Sequence, residues 1–215
     1  MTQRTLVIDT ATPACSVALF DDDQLIAHDY QEIGRGHAEK LIPMIAMLPN
    51  SGRANNIIVN CGPGSFTGVR IGISAAKALA LVWQSEVYGY QCLHLIAVQA
   101  QILMQRSESI YSVMTGGHGE YFVQNFSENC TAVDAFQSLS PELALANARS
   151  NVFVGNAAQS LAALLTEEDP GNRHHILSVH PDARYALQLA TDQRQLNAAP
   201  IYGRPPDAIA AASRQ

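Results

Sequence analysis

The chain has 215 residues, 47% of them hydrophobic and 15% charged, a globular composition long enough to bury a core and without a disorder signature. Its 19 acidic and 13 basic side chains give a formal charge of −6, which argues against unaided binding of nucleic acid through its phosphates. Four cysteines (Cys15, Cys61, Cys92, Cys130) stand far apart with no Cys-x-x-Cys pair, so they suggest neither a zinc site nor a redox motif and read as small buried hydrophobes.

The first residues run straight into Leu6-Val7-Ile8 without a leader-like apolar stretch and cleavage site, and the longest apolar segments are broken by Lys77, Gln84 or His94. The expectation is a cytoplasmic protein with no membrane span. Residues 4–9 form an apolar strand ending in Asp9, residues 14–20 a second, and residues 24–30 a third, joined by short turns as antiparallel neighbours. A helix follows over residues 37–48, with Pro43 either kinking it or sitting in its first turns. A β-branched strand over 57–61 leads through Gly62-Pro63-Gly64-Ser65 into a long helix over 66–83, then a strand at 87–90 and a helix over 93–105. The order β-β-β-α-β-α-β-α is the unit of the actin/Hsp70-like (ASKHA, ribonuclease-H-like) α/β fold, which is normally duplicated.

The second half reads as a reduced copy. Strands are expected at 110–114, 121–126 and 130–133, a helix at 141–148, a strand at 152–154, and helices at 156–165 and 183–190 before a Pro-rich tail. The chain therefore divides into an N-terminal lobe, residues 1–106, and a degenerate second lobe, residues 107–215, each with a mixed sheet and helices.

Two segments carry candidate chemistry. In this fold the hairpin after the first strand normally wraps nucleotide phosphates, and an acid at the strand end helps to hold the metal. Asp9, Thr10 and Thr12 stand there, and Asp9 and Thr10 suit a second role equally well, tying down the turn. The stretch from Gly62 to Gly72 is no Walker loop, since no Lys follows Gly68, and Thr67 takes the place of the third glycine in a dinucleotide fingerprint. Small residues at a helix start can bind an anion, yet Ser65 is also a natural N-cap, the favoured reading. Gly68, Gly72, Ala76 and Ala80 share one helix face, a stripe that admits a close neighbour: the chain's own sheet, or a helix of another chain. No histidine pairs with a second histidine or a carboxylate at metal-ligand spacing, and no nucleophile-elbow signature occurs, so no catalytic residue and no metal site are expected.

The opening Ile8-Asp9-Thr10-Ala11-Thr12-Pro13-Ala14-Cys15-Ser16-Val17-Ala18-Leu19 resembles that of the TsaB family. So do Gly62-Pro63-Gly64-Ser65-Phe66-Thr67-Gly68-Val69-Arg70-Ile71-Gly72, His37-Ala38-Glu39-Lys40-Leu41-Ile42-Pro43 and the late Pro200-Ile201-Tyr202-Gly203-Arg204. Many members read Asp-Ala-Arg shortly before a Gly-Glu, where this chain has Thr115-Gly116-Gly117-His118 before Gly119-Glu120.

The resemblance implies a non-catalytic relative of TsaD. Such a protein supports the complex that transfers threonylcarbamoyl to the adenosine beside the anticodon, with TsaE as a third, ATPase component and tRNA reached through the complex. It implies contact with TsaD through the helices over 37–48 and 66–83, with His37, Leu41, Ile45, Gly68, Arg70, Gly72, Ile73, Ala76 and Lys77 as the expected surface. Without TsaD the same face is expected to support a homodimer. Asp9, Thr10 and Thr12 become a vestigial phosphate loop, with no cofactor required and ATP or ADP entering only with the complex. Two rivals are a sugar-kinase-like enzyme using Asp9 and the Gly62 loop for ATP, and a peptidase.

Overall fold

Residues 3–165 and 174–203 are described in the computed structural model of the chain. Strands β1 (Arg4–Asp9) and β2 (Ala14–Asp21) are buried on both faces, as their unbroken apolar runs require, whereas β3 (Gln24–Glu32) is a largely exposed edge. Next come α1 (His37–Met47), β4 (Asn56–Asn60), α2 (Phe66–Trp83), β5 (Glu86–Tyr90) and α3 (Cys92–Met104). The sheet runs β3-β2-β1-β4-β5, antiparallel among the first three strands and parallel from β1 to β5. Successive side chains of β1 point to opposite faces. Leu6 and Ile8 meet Leu41, Ile45, Val69 and Ile73 of α1 and α2, while Val7 meets Leu95 of α3 and Ala183, Ala186 and Leu189.

Strands β6 (Ile110–Thr115), β7 (Tyr121–Phe126) and β8 (Gln137–Leu139) are followed by α4 (Pro141–Asn147), β9 (Val152–Val154), α5 (Ala158–Ala162) and β10 (His175–Leu177). Their sheet runs β8-β7-β6-β9-β10 with the same antiparallel and parallel senses as the first. The two sheets thus repeat one topology, the arrangement of the actin/Hsp70-like fold, with every element of the second copy as short as or shorter than its counterpart.

Four expectations change. The third strand of the second lobe is not 130–133: Cys130 has a φ of 52°, its N–H closes a turn on Ser127 O, and only Ala132 bridges to Phe126. The strand lies at Gln137–Leu139. The helix expected over 156–165 is Ala158–Ala162, and the one expected over 183–190 is a 3-10 segment, Ala183–Gln188, whose start is capped by Asp182 accepting from Arg184 N. Finally, the chain returns to the first lobe. The Ala183 N–H reaches Ser16 Oγ at 3.0 Å, and β11 (Leu196–Asn197) pairs antiparallel with β5 as a sixth strand. The end of the expected second lobe therefore packs on the first. Arg204 and the later tail lie outside the described residues.

Among the described residues α2 alone combines the length and apolarity of a membrane-crossing helix. One face of it, with Gly68, Val69, Gly72, Ile73, Ala76 and Ala80, is buried. It serves here as a covering helix of the first sheet.

Candidate functional site

Asp9 ends β1 and is 1% exposed. Its Oδ1 accepts from the Ala11 N–H at 3.1 Å, and its Oδ2 accepts from Asn60 Nδ2 at 2.6 Å and from the Tyr90 hydroxyl at 2.5 Å. Burial pushes its pKa up to about 6, and these three hydrogen bonds only partly oppose the rise. The Thr10 hydroxyl donates to the Gly68 carbonyl at 2.7 Å, and Thr12 Oγ1 accepts from the Ala14 N–H at 3.3 Å. The three side chains named for a vestigial phosphate loop are thus engaged in ties within the lobe. Of the two roles open to Asp9 and Thr10 in the sequence, the geometry matches the tie.

The loop before α2 behaves as a cap: Ser65 Oγ accepts from the Gly68 N–H at 3.2 Å, and the Ser65 N–H donates to the Ala11 carbonyl at 2.7 Å. A Cβ on Gly68 would run into the Thr10 carbonyl, and one on Gly72 would lie 2.5 Å from Thr10 Oγ1 and 3.3 Å from Val59. The glycine stripe therefore admits the chain's own first hairpin and sheet. Leu41, Ile45, Ile73 and Ala76 are buried in the same core, and His37 is buried with Nε2 2.8 Å from the Thr12 carbonyl. Seven of the nine residues expected on the partner surface face inward in the single chain; Arg70 and Lys77 face outward.

The outward faces of α1 and α2 carry other residues. Met47 is 85% exposed, Leu81 84% and Val82 75%, with Ile42 half exposed on the same helix as Met47. Sequence reasoning passed over these four because it followed the small-residue stripe. The signal was that α2 is apolar nearly all round, which a helix covering one face of a sheet does not need.

Between the lobes lies a cleft of about 790 Å³. The β1–β2 turn (Ala11, Thr12, Pro13) and the α2 start (Gly64, Ser65, Phe66, Arg70) form one wall, and Met114 to His118 with Phe122 form the other. The altered Thr115-Gly116-Gly117-His118 segment thus occupies the turn of the second lobe that matches the first hairpin, and both open on one space. The late Ile201-Tyr202-Gly203 segment closes the side. Ile201 N–H donates to the Cys61 carbonyl at 2.7 Å, and Gly203 lies so close to the Phe122 ring that a Cβ there would collide with it. Tyr202 stacks on Phe66 with centroids 5.6 Å apart, and its hydroxyl accepts from Arg70 Nε and Nη2 at 3.1 and 2.9 Å. Arg70 in turn lies 3.8 Å over the Phe66 ring. The structure thus brings Arg70, one of the expected interface residues, to the mouth of the cleft. Among the described residues no group of three or more His, Cys, Asp or Glu is placed to hold a metal ion.

The family model for TsaD, tRNA N6-adenosine threonylcarbamoyltransferase, matches residues 31–170. The chain is 30% identical over 202 residues to "tRNA threonylcarbamoyladenosine biosynthesis protein TsaB" of Haemophilus influenzae, covering 86% of this chain and 84% of that protein. The chain belongs to the TsaB family. It is 43% identical over 99 residues to the protein of the same name from Escherichia coli K12, a match that spans 44% of this chain and less than half, 42%, of that relative. Among solved structures, a Pseudomonas aeruginosa protein described as similar to peptidase YEAZ superimposes with a TM-score of 0.77 at 25% identity, over 94% of this chain and all of that one. YeaZ from Pseudomonas aeruginosa superimposes equally well at 23% identity, over 93% of this chain and 99% of that one, which supports the fold of this TsaB-family chain.

Proposed function

We propose that this chain is a non-catalytic subunit in the formation of threonylcarbamoyladenosine in tRNA, docking a TsaD-type catalytic partner on the outward faces of α1 and α2. The pathway comes from the names of its TsaB relatives. The docking face comes from one observation: Met47, Leu81 and Val82 are large apolar side chains left three-quarters or more exposed on two neighbouring helices. Apolar surface of that kind marks interaction sites.

This reading moves the interface outward from the residues first expected. Ile42, Met47, Lys77, Leu81 and Val82 make the contact, while His37, Leu41, Ile45, Gly68, Gly72, Ile73 and Ala76 shape the helices beneath. Arg70 serves the cleft side of the same helix. TsaE joins the assembly as an ATPase, tRNA is reached through the assembled complex, and the whole acts in the cytoplasm. ATP or ADP enters with the complex, and this chain supplies no catalytic group of its own. In the absence of TsaD the same apolar face self-associates, because an isologous dimer buries it equally well.

Sedimentation of this chain mixed with the TsaD of its own organism tests the docking. A defined heteromeric species supports it, and independent sedimentation of the two proteins at micromolar concentrations overturns it.

A further inference from the structure

The described lining of the inter-lobe cleft contains no Asp and no Glu, although acids outnumber bases 19 to 13 in the whole chain. Its one Arg or Lys is Arg70. Apolar side chains make most of the remaining wall, with Pro13, Phe66 and Tyr202 on one side and Met114 and Phe122 on the other. At about 790 Å³ the space suits a ligand of ordinary small-molecule size.

Arg70 is held ready. Its plane is fixed by stacking on Phe66 and by two hydrogen bonds to the Tyr202 hydroxyl. A guanidinium has five N–H donors, so most remain after those two bonds, and among the described residues its Nη1 end has no partner. A guanidinium pre-set in this way pairs well with a carboxylate, since little freedom is lost on binding.

The same lining disfavours a magnesium nucleotide. Magnesium is held by oxygen ligands, normally with carboxylates among them. Asp9, the acid of the first hairpin, is absent from the lining, and both of its oxygens already accept hydrogen bonds.

We propose that this cleft binds a small organic monoanion with an aromatic body. Arg70 holds the carboxylate, and the body lies between the Phe66–Tyr202 stack and the Met114–Phe122 wall. The site is separate from the docking face, and neither proposal depends on the other.

The full-length chain is titrated with two fluorescent probes of one shape: 1-anilinonaphthalene-8-sulfonate, an aromatic monoanion, and N-phenyl-1-naphthylamine, its uncharged counterpart. A single saturable site for the anionic probe is expected, displaced by 1-naphthoate and not by Mg-ATP. Arg70→Gln weakens the anionic probe by about tenfold and leaves the neutral one unchanged, the signature of a lost charge-assisted contact. Gly117→Trp places a bulky ring in the cleft lining and removes both, and its Cβ starts from open space, with nothing within 4 Å. Leu81→Asp on the outer helices leaves both titrations unchanged and separates the cleft from the docking face. Equal weakening of the two probes by Arg70→Gln overturns the proposal. So does binding that survives Gly117→Trp, or displacement by Mg-ATP in place of 1-naphthoate.

Discussion

The Tyr90 hydroxyl donates to Asp9 Oδ2 at 2.5 Å in the interior of the first lobe. The acid that this fold places at the end of its first strand is thereby turned to a structural task, together with Asn60 and the Ala11 N–H. The bond joins β1 to the far end of β5, and burial raises the carboxyl pKa to about 6.

That pKa sets a direction for stability against pH. An ordinary Asp titrates near 3.8, so the folded chain holds the Asp9 proton to higher pH than the unfolded chain does. Its contribution therefore favours the folded state at low pH, declines as pH rises from about 4 through about 6, and is flat above. The full swing is about 3 kcal/mol. Urea unfolding across that window is expected to show a decline that disappears in Asp9→Asn. An identical slope in the variant would assign the effect to other groups.

Gly72→Leu is expected to destabilise the fold by several kcal/mol, about the cost of overpacking a core contact that cannot yield. The added side chain would meet Thr10 Oγ1 and Val59, neither of which can withdraw without moving the first hairpin or the sheet. Chemical denaturation measures this directly. A Gly72→Leu protein as stable as the parent, with weaker partner binding, would restore the stripe as a docking face.

Leu81→Asp with Val82→Asp is expected to leave the melting temperature within about 2 °C of the parent, because both side chains are exposed. The pair is expected to weaken TsaD binding by at least about tenfold through lost apolar contact. Calorimetric titration separates the two effects. Undiminished affinity would move the interface off these helices.

Mg-ATP at millimolar concentration is expected to leave the melting temperature of the isolated chain unchanged. Any ligand held only by the folded state at a hundred times its Kd adds about 2.7 kcal/mol, a shift that thermal unfolding resolves easily. A saturable rise would revive the kinase reading of Asp9 and the Gly62 loop.

The first lobe was legible because β1, β2, α2 and α3 are apolar runs that stand out from the turn residues bounding them, such as Asp21-Asp22-Asp23 and Gly62-Pro63-Gly64. The second was less so: β9 was found at 152–154, but β8 and β10, also of three residues each, are too short for a period of two to declare itself. The Gly68–Gly72 stripe was visible at once, yet a helical period says which residues share a face and not what covers it. Asp9 and Thr10 stayed open between two roles because their deciding partners are remote, Tyr90 lying 81 residues and Gly68 58 residues along the chain. The Arg70–Tyr202 pair spans 132 residues, beyond any local pattern.

Reconstitution by omission tests the non-catalytic role most directly. Unmodified tRNA, threonylcarbamoyl-adenylate, TsaD, TsaE and ATP are incubated with and without this chain, and the modified nucleoside is measured by mass spectrometry. Modification that requires both this chain and TsaD is the predicted result. Equal modification without this chain, or modification by this chain when TsaD is left out, would contradict it.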